Sequence, residues 1–124
     1  MTRRAPAAPE GDTSPRLTLR IDLPGGRIGP GKVALLEAIA REGSISAAGR
    51  SLGMSYRRAW DLVDALNRLL GTPAVDATTG GAGGGGAALT AAGRDLVADY
   101  RAIERAAVEA AESRLTALAA RARG

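Results

Sequence analysis

The chain has 124 residues, a formal charge of +4 and a pI near 10.6. It has no cysteine and no histidine, which removes disulfides, thiolate metal sites, the commonest general base and the commonest metal ligand; neither an enzyme nor a cofactor or metal is expected. No apolar run nears the roughly 18 residues of a membrane span, and the N-terminus lacks a signal peptide's apolar stretch, so a cytoplasmic protein is expected.

Of the 17 basic residues, Lys32 alone is lysine. The planar fork of arginine suits phosphates and base edges. The abundant alanine and glycine, however, are what a GC-rich genome writes, and such a genome also writes Arg for Lys. The charge therefore suggests an anionic partner and no more.

Residues 1–15, rich in Pro, Ala and charge, read as a disordered tail. Residues 16–23 then alternate, with Leu17, Leu19, Ile21 and Leu23 on one face. That period of two predicts a half-buried strand, ended by Pro24-Gly25-Gly26. A helix is expected over Pro30–Glu42, with Pro30 in the first turn, Val33, Leu36 and Ala40 at helical spacing, and Gly43 as the stop. Gly26, four residues, Gly31 and Lys32 match most of a phosphate-binding P-loop. Val33 replaces the hydroxyl residue that would hold Mg²⁺, and no parallel sheet is in prospect, so this reads as a turn into the first helix.

Ser44 is the next N-cap candidate, opening a short helix through Leu52 whose apolar face is Ile45, Ala48 and Leu52. Gly53 ends it, and Ser55 caps a third helix reaching Leu70. Ala47 and Ala48 are small enough for the second and third helices to cross closely, Gly53 can turn sharply, and Met54 can plug the corner. This is the spacing of a helix-turn-helix. On the third helix Tyr56, Ala59, Trp60, Val63, Leu66 and Leu70 form an apolar stripe, with Trp60 expected in the core. Arg57, Arg58, Asp61, Asp64 and Arg68 lie opposite. A recognition helix reads bases from its N-terminal part, here Ser55, Tyr56, Arg57 and Arg58, followed by Asp61. Arg57 and Arg58 can each read guanine or bind phosphate, or be solvated surface charge.

Two short strands are expected at residues 74–79 and 87–89, on either side of the glycine run 80–86. That run is either a linker or the tip of a wing lying along the DNA backbone, and the flanking strands favour a wing that is mobile without DNA. Thr90 caps a last helix of about 30 residues, about 45 Å long, reaching roughly Arg121. Leu96, Tyr100, Ile103, Ala107, Ala111, Leu115 and Leu118 follow one another three or four residues apart. One small core cannot cover that length. A second copy is the simplest cover, and it would place two recognition helices about 34 Å apart; a fraying tail helix is the alternative.

The fold class expected is therefore mainly α with a small β wing: a winged helix-turn-helix over 16–90, with a long C-terminal dimerisation helix over 91–124. The expected DNA-binding residues are Ser44, Ser46, Ser55, Tyr56, Arg57, Arg58, Asp61, Arg68, Gly81, Gly83 and Gly84. The dimerisation residues are Leu96, Tyr100, Ile103, Ala107 and Leu115.

These stretches together resemble the DNA-binding half of the ModE-type molybdate-dependent transcriptional regulators, whose helix-turn-helix is LysR-like. Residues 43–55, GSISAAGRSLGMS, carry the general likeness. SYRRAWD at 55–61 resembles the family's Ser-Tyr-x-x-Ala-Trp-Asp recognition helix, and TGGAGGGGAALT at 79–90 its glycine-rich wing and the start of the next helix. The similarity runs over roughly 16–107. It implies a winged-helix homodimer on operator DNA near molybdenum-related genes, with Ser55 to Arg58 at the DNA and residues 80–86 as the wing. Ala82 stands where relatives often carry a basic wing residue. Members that sense molybdate do so with C-terminal β-barrel domains, and this sequence ends at Gly124, so no molybdate binding by this polypeptide is expected and a separate sensor protein is a candidate partner. The competing readings are an architectural protein that coats DNA without reading it, and a module whose long helix pairs with another protein. Asp61 and Asp64, which repel phosphate, argue against indiscriminate coating.

Overall fold

A computed structural model of the chain describes residues 14–78 and 85–122. The expected tail up to residue 13 and residues 79–84, which include the glycine run as far as Gly84, lie outside them. The elements, in order, are β1 (Ile21–Leu23), β2 (Gly26–Ile28), α1 (Pro30–Glu42), α2 (Ile45–Ser51), α3 (Tyr56–Leu70), β3 (Val75–Thr78), β4 (Gly86–Leu89) and α4 (Ala91–Ala122). The strands make two separate antiparallel pairs, β1 with β2 and β3 with β4.

The core lies where α1, α2, α3 and the start of α4 meet. Val33, Leu35, Leu36, Ala38 and Ile39 of α1 are fully enclosed, against Ala48 of α2, Ala59, Val63 and Leu66 of α3, and Tyr100 of α4. α1 is thus the central element, and its apolar residues occupy more of its circumference than a surface helix would allow. Two hydrogen bonds donated by main-chain amides join the helices to the second strand pair. The Gly43 carbonyl, at the end of α1, accepts a hydrogen bond from Ala87 N in β4 (2.8 Å). Asn67 Oδ1 of α3 accepts from Ala74 N just before β3 (2.8 Å).

The helix boundaries follow the caps. Ser44 Oγ accepts from Ala47 N and Ser55 Oγ accepts from Arg58 N, each at 3.0 Å, which satisfies first-turn amides at two successive helix starts. The first strand is shorter than the alternation suggests. Only Ile21–Leu23 pair, and the Pro24-Gly25-Gly26 segment is a turn into a second strand rather than an end. Residues 14–20 belong to no strand. Leu17 and Leu19 are half-buried, and the Leu19 carbonyl accepts from the Tyr100 hydroxyl (2.8 Å). Period two there records burial of alternate residues outside any strand, and at Leu19 the contact comes from α4.

α4 packs on the core only through its first turns. Gly93, Leu96 and Tyr100 are buried, and no described residue after Tyr100 is. Arg101 fastens this region to α1 by a two-pronged contact with Glu37 (2.7 and 3.0 Å) and also holds Glu104 (2.8 Å). Both carboxylates raise the affinity of Arg101 for its proton, the Glu37 hydrogen bond most of all. No helix among the described residues is long and apolar enough to cross a membrane.

Candidate nucleic-acid interface

The α2–turn–α3 unit is set by how closely its helices approach. A side chain at Gly49 would bring a Cβ to 3.2 Å from the Ala59 Cβ and 3.6 Å from Met54 Cγ. The close crossing therefore uses Gly49 and Ala48, both buried, rather than Ala47, which is half-buried. The corner turns at Gly53, whose φ of 71° lies in the left-handed region that other residues adopt at a cost. Met54 then packs against the core from the corner, and its amide returns a hydrogen bond to the Gly49 carbonyl (3.0 Å).

α3 presents distinct flanks at about 100° per residue. Ala59, Val63 and Leu66 are buried. Directly opposite, Arg57, Asp61, Asp64 and Arg68 are exposed. On a third flank stand Tyr56 and Trp60, whose rings meet edge to face with centroids 6.2 Å apart. Trp60 was expected in the core. It is only half-buried, because the elements that cover it are the N-terminus of α2 and the base of the wing, and these leave a cleft rather than close over it. The cleft has a volume of about 220 Å³ and is lined by Ser44, Ile45 and Ser46 of α2 and its cap, by Tyr56 and Trp60, and by Ala77, Thr78, Gly86 and Ala87 of the wing base.

The fold brings most of the expected DNA-facing residues together. Ser44, Ser46 and Tyr56 share the cleft, while Ser55, Arg57, Arg58 and Asp61 occupy the adjoining end of α3. Tyr56 is 60% exposed. Ser44 and Ser55 already spend an acceptor lone pair on capping, which leaves their O–H groups free to donate to an anion. Ser46 Oγ accepts from Arg50 (2.8 Å) and so holds that guanidinium beside the same rim. Arg68 does not join them. It lies about 16 Å further along the helix, in the last turn, where a cation complements the helix dipole. Gly81, Gly83 and Gly84 lie outside the described residues.

Local sequence pointed to a wing, but not to the part Thr78 takes at its base. Thr78 Oγ1 both donates to the Gly86 carbonyl (3.3 Å) and accepts from the Gly86 amide (3.2 Å), closing the wing base beside Trp60. Nor did it point to Gly93: a Cβ there would collide with the carbonyl of Ala74. The Thr90 hydroxyl donates to the Pro73 carbonyl (2.6 Å) and accepts from Gly93 N (3.1 Å), so α4 begins where the wing begins.

The dimerisation residues divide. Leu96 and Tyr100 are 7% and 1% exposed. They face the chain's own core, which corrects their placement on a seam between copies. Ile103 is 47% exposed, and Ala107 and Leu115 are half-buried.

Three helices around a small core, the third with a charged exposed face, and a two-stranded wing beside it define a winged helix-turn-helix DNA-binding domain. The chain belongs to the bacterial regulatory helix-turn-helix proteins of the lysR family, whose model matches residues 31–94. It is 55% identical over 80 residues to the molybdenum-pterin-binding protein MopB of Rhodobacter capsulatus, covering 64% of this chain and 30% of that protein. It is 44% identical over 71 residues to the DNA-binding transcriptional dual regulator ModE of Escherichia coli strain K12, covering 57% of this chain and 27% of that one. The match thus spans less than a third of either relative. Among solved structures the CbnR_DBD–DNA complex superposes with a TM-score of 0.53 at 27% identity, covering 70% of this chain and 95% of that one.

Proposed function

We propose that this chain is the DNA-binding part of a transcriptional regulator that docks on duplex DNA as a homodimer and controls genes connected with molybdenum. The observation that carries the reading is the N-terminal end of α3. Arg57 stands there exposed and has no carboxylate partner among the described residues, beside a cleft that the wing base closes. A cation at a helix N-terminus is opposed by the helix dipole, and an anionic partner in front relieves that opposition. The likeness to a domain solved on DNA supports the duplex as partner, and the relatives named for molybdenum support the class of gene.

In this reading α3 enters the major groove, Arg57 and Tyr56 meet base edges, and Ser44, Ser46 and Ser55 donate to phosphates. The glycine run reaches the neighbouring backbone. Residues 16–90 act as the DNA-binding unit and 91–124 as the dimerisation helix. The protein is not an enzyme, works in the cytoplasm and needs no metal or cofactor for docking; a separate effector-sensing protein is a further partner.

Asp61 and Asp64 on the exposed face favour sequence-specific binding over indiscriminate coating. Competition at fixed salt between fragments recovered from genomic DNA and random duplex tests this, since equal affinity for both would leave only an architectural role. Arg57→Ala should weaken binding to the recovered fragment and relax preference at one base position by about 1–3 kcal/mol. An equal loss on every sequence would make Arg57 a phosphate contact instead.

A further inference from the structure

The wing lies along one flank of α3, and the β1–β2 hairpin lies along the opposite one. At about 100° per residue Tyr56, Trp60 and Asn67 point towards the wing base, and Arg58, Leu62 and Leu69 point the other way. The hairpin turn rests on that second flank. A Cβ at Gly26 would stand 3.0 Å from Leu69 Cδ1, and one at Gly25 would stand 3.6 Å from the Leu69 Cα. From there β2 leads back to Arg27 and Ile28. The Lys32 ammonium, in the first turn of α1, donates to the Arg27 carbonyl (2.7 Å).

Lys32 of α1 thus touches β2 at Arg27, and Arg58, on the same flank of α3 as the hairpin but nearer its N-terminal end, is close enough for its charge to act on Lys32. None of them is paired with a carboxylate among the described residues. The acid nearest in register, Asp22, stands across the hairpin from Arg27 and is held by Arg20 (3.1 Å). Burial, and then the charges of Arg27 and Arg58, lower the affinity of Lys32 for its proton. Crowded like charges without a counter-ion destabilise the fold that holds them, and a bound anion removes that cost.

We propose that Arg27, Lys32 and Arg58 form a binding site for the DNA sugar-phosphate backbone on the flank of α3 away from the wing. The site rests on the DNA-binding reading above and extends it. The wing and this cluster then grip the two walls of the groove that α3 enters. Its chemistry is that of positioning rather than reading: two guanidinium forks and an ammonium meet phosphates, and base edges are left to Tyr56 and Arg57. It also gives Lys32 of the P-loop-like segment a phosphate partner without nucleotide hydrolysis.

Binding of the full-length chain to a random duplex and to a fragment recovered from genomic DNA, measured across a salt series, tests the proposal. Arg27→Gln, Lys32→Gln and Arg58→Gln should each reduce the slope of log affinity against log salt by about 0.9, the value for one lost phosphate contact. Each should weaken both duplexes by the same factor, and Lys32→Arg should keep the slope. Without DNA, Lys32→Gln should melt no lower than the parent chain. If it melts lower, Arg27→Gln, at an exposed side chain, decides. Unchanged slopes in Arg27→Gln and Lys32→Gln, with Arg57→Ala still impaired, overturn this site alone. A parent chain that holds no duplex at low salt overturns the regulator reading along with it. Protection of Lys32 by magnesium ATP in the absence of DNA overturns it in favour of a nucleotide site.

Discussion

Gly93 sits inside a helix, where alanine would ordinarily be the better residue by about 1 kcal/mol. The Ala74 carbonyl lies where its Cβ would be, and that carbonyl also accepts from Thr90 N (3.0 Å). Gly93→Ala should therefore reverse the usual sign and lower stability by about 1–3 kcal/mol, as overpacking does. Thermal or urea unfolding reads it, and a more stable variant would show that the α4–wing junction has room. The same scale separates Arg57 from Arg58. They are adjacent in sequence and equally plausible there as base readers. One step of 100° puts the first on the outward face of α3 and turns the second towards the hairpin and Lys32.

Among the elements, the extended segment before β1 depends on α4. The Tyr100 hydroxyl donates to the Leu19 carbonyl, and the phenol is almost fully covered. Burial first, and then the Glu104 carboxylate, push the phenol's pKa above its ordinary value of 10.0, while Arg101 pulls the other way. Because the folded-state value is raised, this stabilisation is complete below the ordinary tyrosine range and is lost as pH climbs through the folded-state value. Stability should fall as pH rises past the ordinary tyrosine value of about 10, and less so in Tyr100→Phe. That variant should also lose about 0.5–1.5 kcal/mol near neutrality with its hydrogen bond. Lys32 has the opposite sign. Its pKa is lowered by folding, so its share of stability grows with pH, and the variant must be compared with the parent at each pH. Equal alkaline slopes in the two would mean that Tyr100 does not titrate against the fold.

At the scale of the whole molecule, α4 is longer than the core it serves. Its 32 residues extend about 48 Å, and burial ends at Tyr100. Ile103, Val108 and Leu118 are exposed beyond it. We expect a dimer through this distal part, so Ile103→Glu with Leu118→Glu, or removal of residues 107–124, should give a monomer by light scattering and a lower apparent affinity for operator DNA. Unchanged mass and affinity would leave the distal helix without that role.

Much of this architecture was legible locally. Proline and glycine punctuation and serine caps bounded Pro30–Glu42, Ile45–Ser51 and Tyr56–Leu70, because a helix satisfies its backbone within a few residues and its ends leave orphan groups that particular side chains fill. The helix-turn-helix spacing and the exposed arginine at the start of α3 come from the same short range. Only the tertiary structure decided what those helices meet. It made Gly26 the start of β2 instead of a strand end, left Trp60 at the edge of a cleft, drew Leu96 and Tyr100 into the chain's own core, and brought Lys32 against β2 at Arg27. For Trp60, Leu96 and Tyr100 the deciding contacts are with residues distant along the chain, and hydrophobic periodicity records that a face is covered without recording which element covers it.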